Sequence, residues 1–267
     1  MSKRMEGEVV VITGGSSGIG LAVAQHFAAR GARVVLAARD AARLDAAVEN
    51  VGGACRGHST DITSDDSVAA LMASIESTEG RIDCLINCAG VLEIGPAEVH
   101  GIAVAERLMQ TNYLGAVRVM QAALPLLRKG SRKSIVNLSS MAGKVAPPFM
   151  ASYAATKFAL AAYSYAFRQE LKREGFHVGL VSPGPVDTPM LEGRLPGASD
   201  HYPVPPGVPL LKAEDVARVV GRAVEKRQVD VIVPRHLAPL VRLGQAAPRA
   251  VDLTYGFLTT RRRRNRS

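Results

Sequence analysis

The run Val9-Val10-Val11-Ile12-Thr13-Gly14-Gly15-Ser16-Ser17-Gly18-Ile19-Gly20 decides the fold. Its four aliphatic residues, bounded by glycine, fit a strand buried on both faces, as a covered parallel sheet requires. A helix-compatible segment, Ile19–Arg30, follows at once. The glycines therefore occupy a strand-to-helix turn. Glycine there permits tight reversal and close approach of backbone to a pyrophosphate, and the new helix offers unpaired N–H groups and the positive end of its dipole. Glycine clusters also make ordinary turns. The strand–glycine–helix context is what points to a dinucleotide site at Gly14, Ser16, Ser17, Gly18, Ile19 and Gly20.

Further apolar runs recur at Val34–Ala37, Cys84–Ile86, Ile135–Leu138, Val178–Val181 and Val231–Val233, with a weaker one at Ala54–His58. Between them the pattern predicts helices over Ile19–Arg30, Ala41–Asn50, Asp65–Ser77, Ala103–Leu127, Ala151–Arg173 and Ala213–Arg227. Strand alternating with helix means right-handed crossovers and an open α/β sheet. No repeat or interdomain linker interrupts the series, so one domain is expected. Pro189–Pro209, rich in Pro and Gly, reads as a lid.

The chain has 267 residues, 47% hydrophobic and 21% charged, a composition that excludes a disordered chain. No apolar run reaches the ~18 residues of a spanning helix, and the four before Thr13 are too few for a secretory leader. Cys55, Cys84 and Cys88 are too irregularly spaced for a disulfide framework and read as thiols of a reducing cytosol. The six histidines show no ligand spacing, so no metal is expected. The formal charge is +9, but Arg261–Ser267 holds five arginines; without it 28 basic residues face 24 acidic ones, leaving +4. The excess therefore belongs largely to a tail and calls for no polyanionic substrate. Nucleic-acid binding is not expected, because the arginines lack interleaved aromatics.

The second strand ends Ala37-Ala38-Arg39-Asp40. A carboxylate here would bind a ribose 2′-OH, whereas arginine accommodates a 2′-phosphate. Ala38 stands where that carboxylate is expected, Asp40 fits the start of the next helix, and Arg39 favours NADP(H) over NAD. A solvated loop residue is the plain alternative for Arg39. Tyr153 and Lys157 lie four apart on one helical face, and Ser139-Ser140 end the fifth strand at the edge where such sheets bind ligands. An ammonium about 4 Å from a phenol would favour the phenolate by up to ~4 kcal/mol. Tyr153 could then serve as acid–base while Ser140 hydrogen-bonds the same oxygen.

Together with Asn87-Cys88-Ala89-Gly90, Asn112, Pro183-Gly184 and the thirteen-residue step from Ser140 to Tyr153, these residues resemble the short-chain dehydrogenase/reductase family over residues 7–235. The resemblance implies a single doubly wound Rossmann domain with a parallel sheet of about seven strands and helices on both faces. It makes Tyr153 the acid–base, Lys157 also a ligand of the nicotinamide ribose, Ser140 the substrate-orienting group, and Asn112 the anchor of a relay water. Asp61 and Ile62 would border the adenine, with Asn87, Ala89 and Gly90 at the cofactor's middle. Pro183, Gly184, Val186 and Thr188 would hold its nicotinamide end. Cys88 departs from the family's second Asn, which removes one local hydrogen bond.

The expected activity is NADP(H)-dependent interconversion of a carbonyl and a secondary alcohol, chiefly reduction of an apolar ketone. A 3-oxoacyl thioester reductase shares the motifs, and a non-catalytic NADP-binding sensor or scaffold is the reading outside the enzyme class. Met141, Val145, Phe149, Met150, Met190 and Leu191 either line an apolar pocket or merely pack the lid; His201 could contact substrate or be solvated, and Arg194 and Lys212 leave a phosphate-bearing substrate open. Family likeness implies a homodimer or homotetramer in the cytoplasm. Residues 1–235 read as the catalytic domain, 236–260 as its amphipathic C-terminal extension, and 261–267 as a basic tail. The extension's apolar residues and arginines suit packing on a partner subunit or peripheral contact with the inner membrane surface.

Overall fold

The computed structural model describes residues 5–192, 209–247 and 249. Each apolar run becomes a strand: β1 Val9–Thr13, β2 Arg33–Ala38, β3 Cys55–Ser59, β4 Cys84–Asn87, β5 Ser134–Leu138, β6 His177–Pro183 and β7 Asp230–Val233. They form one seven-stranded sheet in the order β3-β2-β1-β4-β5-β6-β7, parallel throughout. The order reverses between β1 and β4. Connections leave in opposite directions there, which opens a crevice at the carboxyl ends of the strands. β1, β4, β5 and β6 are buried along their whole length, whereas the edge strand β3 has only exposed and half-buried residues, which explains its weaker apolar signal.

Nine helices are described: α1 Gly18–Ala28, α2 Ala41–Val51, α3 Asp65–Glu79, α4 Ile102–Met109, α5 Gly115–Lys129, α6 Ala151–Leu171, α7 Pro189–Glu192, α8 Ala213–Glu225 and α9 Ala238–Ala246. They cover both faces. Phe27 of α1 and Val220 of α8 pack with Ile12 and Val181 on one side. Leu71 of α3, Met120 of α5 and Leu160 of α6 pack with Val11 and Ile135 on the other. Asp40 starts α2 as expected, its Oδ1 accepting from Arg43 N at 3.0 Å, and Ser64 caps α3 in the same way.

One expected element is corrected. The pattern predicted one helix over Ala103–Leu127, but α4 and α5 meet in a π-helical turn, Gln110–Leu114. Asn112 within it is fully buried, with its amide bonded to Val91 and Thr156. Those bonds hold the widened turn, a feature that apolar periodicity does not record. Of the lid, α7 and Pro209 are described; Arg194 and His201 lie outside the described residues. After β7 the chain forms a 3₁₀ turn, Arg235–Leu237, and α9, which buries Val241 and exposes Leu240 and Leu243. The C-terminal segment Val251–Leu258 and the arginine tail also lie outside. Among the described residues no helix is long and apolar enough to cross a membrane.

Candidate active site

Polar residues stand in register near the crevice ends of three adjacent strands: Thr13, Asn87 and Asn137. Thr13 Oγ1 donates to Asn87 Oδ1 at 3.4 Å, Asn87 Nδ2 to Asn137 Oδ1 at 2.9 Å, and Asn137 Nδ2 to Ser164 Oγ at 2.8 Å. Ser164 Oγ donates onward to Leu160 O at 2.6 Å. The four side chains are buried and satisfied, so the ladder fastens β1, β4 and β5 to α6, the helix carrying Tyr153 and Lys157. Asn87 therefore lies beneath the crevice as part of its floor. Asn137 and Ser164 were missed in the sequence, although an asparagine inside an apolar strand was a visible signal.

On one side of this floor lies the glycine turn. Gly14 adopts φ +68°, and a Cβ there would sit 2.7 Å from Ala89 Cα. A Cβ on Gly20 would meet Gly14 O at 2.2 Å. Only glycine closes the turn this tightly. Ser17 occupies the N-cap position of α1 without a side-chain capping bond, unlike Asp40 and Ser64 on α2 and α3. Helix bonding begins with Leu21 N to Ser17 O at 3.2 Å, so the N–H groups of Gly18, Ile19 and Gly20 face the cleft end of the dipole. An uncapped helix start with a spare hydroxyl fits a diphosphate.

The cleft over this turn is lined by Gly14, residues 16–20, Arg39, Asp61, Ile62, Ala89 and Gly90. Arg43, Thr60 and Thr111 also line it, and sequence reasoning did not single them out. Asp61 Oδ1 accepts from Thr63 N at 2.9 Å and Thr63 Oγ1 at 2.8 Å. The Thr63 N–H is the main reason its carboxyl is held below the usual range, with Arg39 and Arg118 adding to it.

A second cleft adjoins the first; Cys88, Gly90, Val91, Leu92 and Thr188 border both. Ser140, Tyr153 and Lys157 converge on it, together with Pro183, Gly184 and Val186. Five of the six apolar candidates line it: Met141, Val145, Met150, Met190 and Leu191, whereas Phe149 does not. Ser140 caps a 3₁₀ turn, Met141–Gly143, its Oγ accepting from Ala142 N at 3.1 Å. Ser139 Oγ instead donates to Lys157 O at 3.3 Å, a bond within the scaffold. Lys157 Nζ donates to Leu138 O at 3.0 Å and stands 5.7 Å from the centre of the Tyr153 ring.

Electrostatics here run against the expectation from sequence. Burial pushes Tyr153 up to about 12, opposed by the nearby Ser140 hydroxyl. Burial likewise pushes Lys157 down to about 8. Desolvation thus outweighs ammonium–phenol attraction, because Nζ is tied to Leu138 O and lies over the ring rather than at the hydroxyl. The phenol is held protonated. Cys88 is no thiolate either: burial raises it to about 12, with Lys157 opposing. Asn112 sits behind Lys157, its Oδ1 accepting from Val91 N at 2.7 Å and its Nδ2 donating to Val91 O at 2.9 Å and Thr156 Oγ1 at 3.1 Å. Among the described residues no group of three or more His, Cys, Asp or Glu is placed to hold a metal ion.

This fold and site define a dinucleotide-dependent oxidoreductase class. The short chain dehydrogenase family model matches residues 8–197, and the chain belongs to that family. It is 35% identical over 240 residues to dehydrogenase/reductase SDR family member 7B of Danio rerio, an alignment covering 86% of this chain and 78% of the relative. It is also 35% identical over 206 residues to 2-(S)-hydroxypropyl-CoM dehydrogenase 3 of Xanthobacter autotrophicus, covering 76% and 80%. The crystal structure of gox2181 superposes with TM-score 0.79 at 25% identity, over 88% of this chain and 98% of that one. The family uses NAD(P)(H), and the uncapped start of α1 and the cleft above it fit that group.

Proposed function

We propose that the protein is an NADP(H)-dependent reductase of apolar ketones, interconverting a carbonyl and a secondary alcohol. One observation carries the reading: a buried Tyr153 meets Ser140 and Lys157 where an apolar cleft joins the cleft over the glycine turn. A nicotinamide cofactor, when bound, would supply the hydride, with Pro183, Gly184, Val186 and Thr188 placed to hold it. Tyr153 gives its proton to the carbonyl oxygen, and Ser140 Oγ donates a hydrogen bond to the same atom. Lys157, cationic below about 8, offsets the phenolate charge left behind and holds a ribose hydroxyl with its remaining N–H donors. Because the Asn112 amide is used on Val91 and Thr156, a relay water at this residue would bond its backbone carbonyl.

The 2′-phosphate reading is supported by two arginines, Arg39 and Arg43, on the rim of the cleft. A phenol that stays protonated supports the reductive direction, which needs a proton donor. The apolar wall formed by Met141, Val145, Met150, Met190 and Leu191 supports an apolar substrate. Homo-oligomerisation belongs to the same reading, supported by the exposed Leu114 and Phe158. The test is a panel of alkyl and aryl ketones, 3-oxoacyl thioesters and secondary alcohols, followed at the NADPH absorbance with NADH as control. Ketone reduction with NADPH, lost by at least ~100-fold in Tyr153→Phe with NADPH binding kept, is the expected result. Wild-type turnover by Tyr153→Phe, or faster reduction of the thioesters, would overturn it.

A further inference from the structure

Lys144 is a buried lysine that the reaction does not use. It follows directly on the Met141–Gly143 turn, and its backbone N–H closes that turn on Met141 O at 2.9 Å. Its ammonium donates to Asp230 Oδ2 at 2.9 Å and to Tyr165 Oη, and Tyr165 Oη donates to the same Asp230 oxygen at 3.0 Å. The ammonium also stands 5.0 Å from the centre of the Tyr165 ring. Three elements thus meet at one charge: the Ser140 turn, the helix α6 and the first residue of β7. Asp230 Oδ1 is buried without a hydrogen-bond partner, so the pair is not arranged for maximal stability.

The turn itself is fastened at both ends. At its start Ser139 N donates to Val181 O at 2.8 Å, and Ser140 Oγ caps it. At its end Lys144 reaches down the side of α6. Between the two, Gly143 lies so close to α6 that a Cβ there would stand 2.8 Å from Lys157 Cβ and 2.7 Å from Ser139 Oγ. The seating of this turn on α6 sets the distance from Ser140 to Tyr153 and Lys157, since both belong to that helix.

We propose that Lys144 is a positioning residue for Ser140, holding the Met141–Gly143 turn down on α6 through its buried pair with Asp230 and Tyr165. The proposal rests on the reading of Ser140 as the hydroxyl that binds the carbonyl oxygen. It is tested by steady-state kinetics with NADPH and whichever ketone of the panel above is reduced fastest. Lys144→Met lowers kcat by ~10- to 100-fold and leaves the KM for NADPH within about twofold of wild type, because Ser140 serves the carbonyl and not the dinucleotide. Lys144→Arg restores kcat to within about threefold. In a Ser140→Ala background Lys144→Met lowers kcat by less than about twofold more, since the group it positions is gone. Should Lys144→Met fail to fold, Lys144→Met with Asp230→Asn, which orphans no carboxylate, takes its place in the cycle. Wild-type kcat in the variant, or an undiminished loss in the Ser140→Ala background, overturns the proposal. Wild-type kcat in Ser140→Ala alone overturns instead the reading on which it rests, as does a panel with no turnover.

Discussion

Replacing Lys157 by methionine removes the ammonium while keeping most of the side chain's volume, and its effect on stability has a definite sign. Burial pushes the amine from an ordinary 10.5 to about 8. Between these values the unfolded chain holds the proton and the folded chain does not, so stability rises with pH across the window. Below about 8 both states are protonated, and the folded state carries the whole penalty. At ~1.36 kcal/mol per tenfold change in the ionisation constant, that penalty is about 3 kcal/mol. The variant escapes it and loses the bond to Leu138 O, which contributes about 1 kcal/mol. Lys157→Met is therefore about 2 kcal/mol more stable than wild type at pH 7, or roughly 4–8 °C in Tm. Its catalytic activity is lost all the same. The advantage shrinks above about 8, vanishes about 1.5 pH units higher and has reversed by 10.5. Urea unfolding of both proteins at pH 7, 8, 9 and 10, without cofactor, reads the gap directly. A gap that stays constant with pH, or a variant less stable at pH 7, would refute the reasoning.

Three other substitutions probe the remaining parts. Gly143→Ala drives a Cβ to 2.7 Å from Ser139 Oγ and 2.9 Å from the Lys157 backbone carbon, neither of which is free to swing aside. Stability falls by ~1–3 kcal/mol, and kcat falls further than the KM for NADPH changes, as urea melts and kinetics will show. Asn137→Leu takes the acceptor from Asn87 Nδ2 and the Asn137 donor from Ser164 Oγ, which keeps its bond to Leu160 O, so unfolding should become easier by ~1–3 kcal/mol in urea. Arg39→Ser should raise the KM for NADPH by ~10-fold or more and leave that for NADH nearly unchanged; equal effects on both would remove Arg39 from 2′-phosphate binding.

The order of elements was legible because each central strand buries both faces and is therefore mainly aliphatic: Val9–Ile12 is a continuous run, and Ile135–Leu138 is broken only by Asn137. Glycines were legible for a different reason. Gly14 and Gly20 stand where any side chain would strike backbone, so composition and geometry coincide. The π-helical turn was hidden, since Gln110–Leu114 holds no Gly or Pro to break a continuous helix, and its cause lies in bonds from Asn112 to residues 21 and 44 positions away. Long-range polar pairings were hidden in the same way. Nothing local to Lys144 names Asp230, 86 residues on, or Tyr165 as its partner. The sequence could suggest which side chains form the site, but not which of them are spent on holding it together: Asn112, Thr156 and Ser139 all carry reactive-looking groups that turn out to be bonded within the scaffold.

The direction of the Tyr153 displacement bears on how such a site works. An exposed tyrosine beside a lysine would be drawn toward phenolate, and a phenolate cannot protonate a developing alkoxide. By enclosing the pair, the fold reverses the balance: desolvation raises the phenol and lowers the amine together. The acid is thereby kept loaded across the ordinary pH range, while the ammonium remains charged below about 8. In the proposed reduction, proton donation creates a phenolate beside a cation already in place, and the attraction that is too weak to ionise Tyr153 at rest acts once the charge has formed. The stabilisation is greater after proton transfer than before it, which is the condition for lowering a barrier rather than merely binding substrate. Alcohol oxidation needs the opposite loading and gains nothing from a protonated phenol. The burial that makes Lys157 costly for the fold is thus the same burial that keeps Tyr153 an acid, and relieving one surrenders the other.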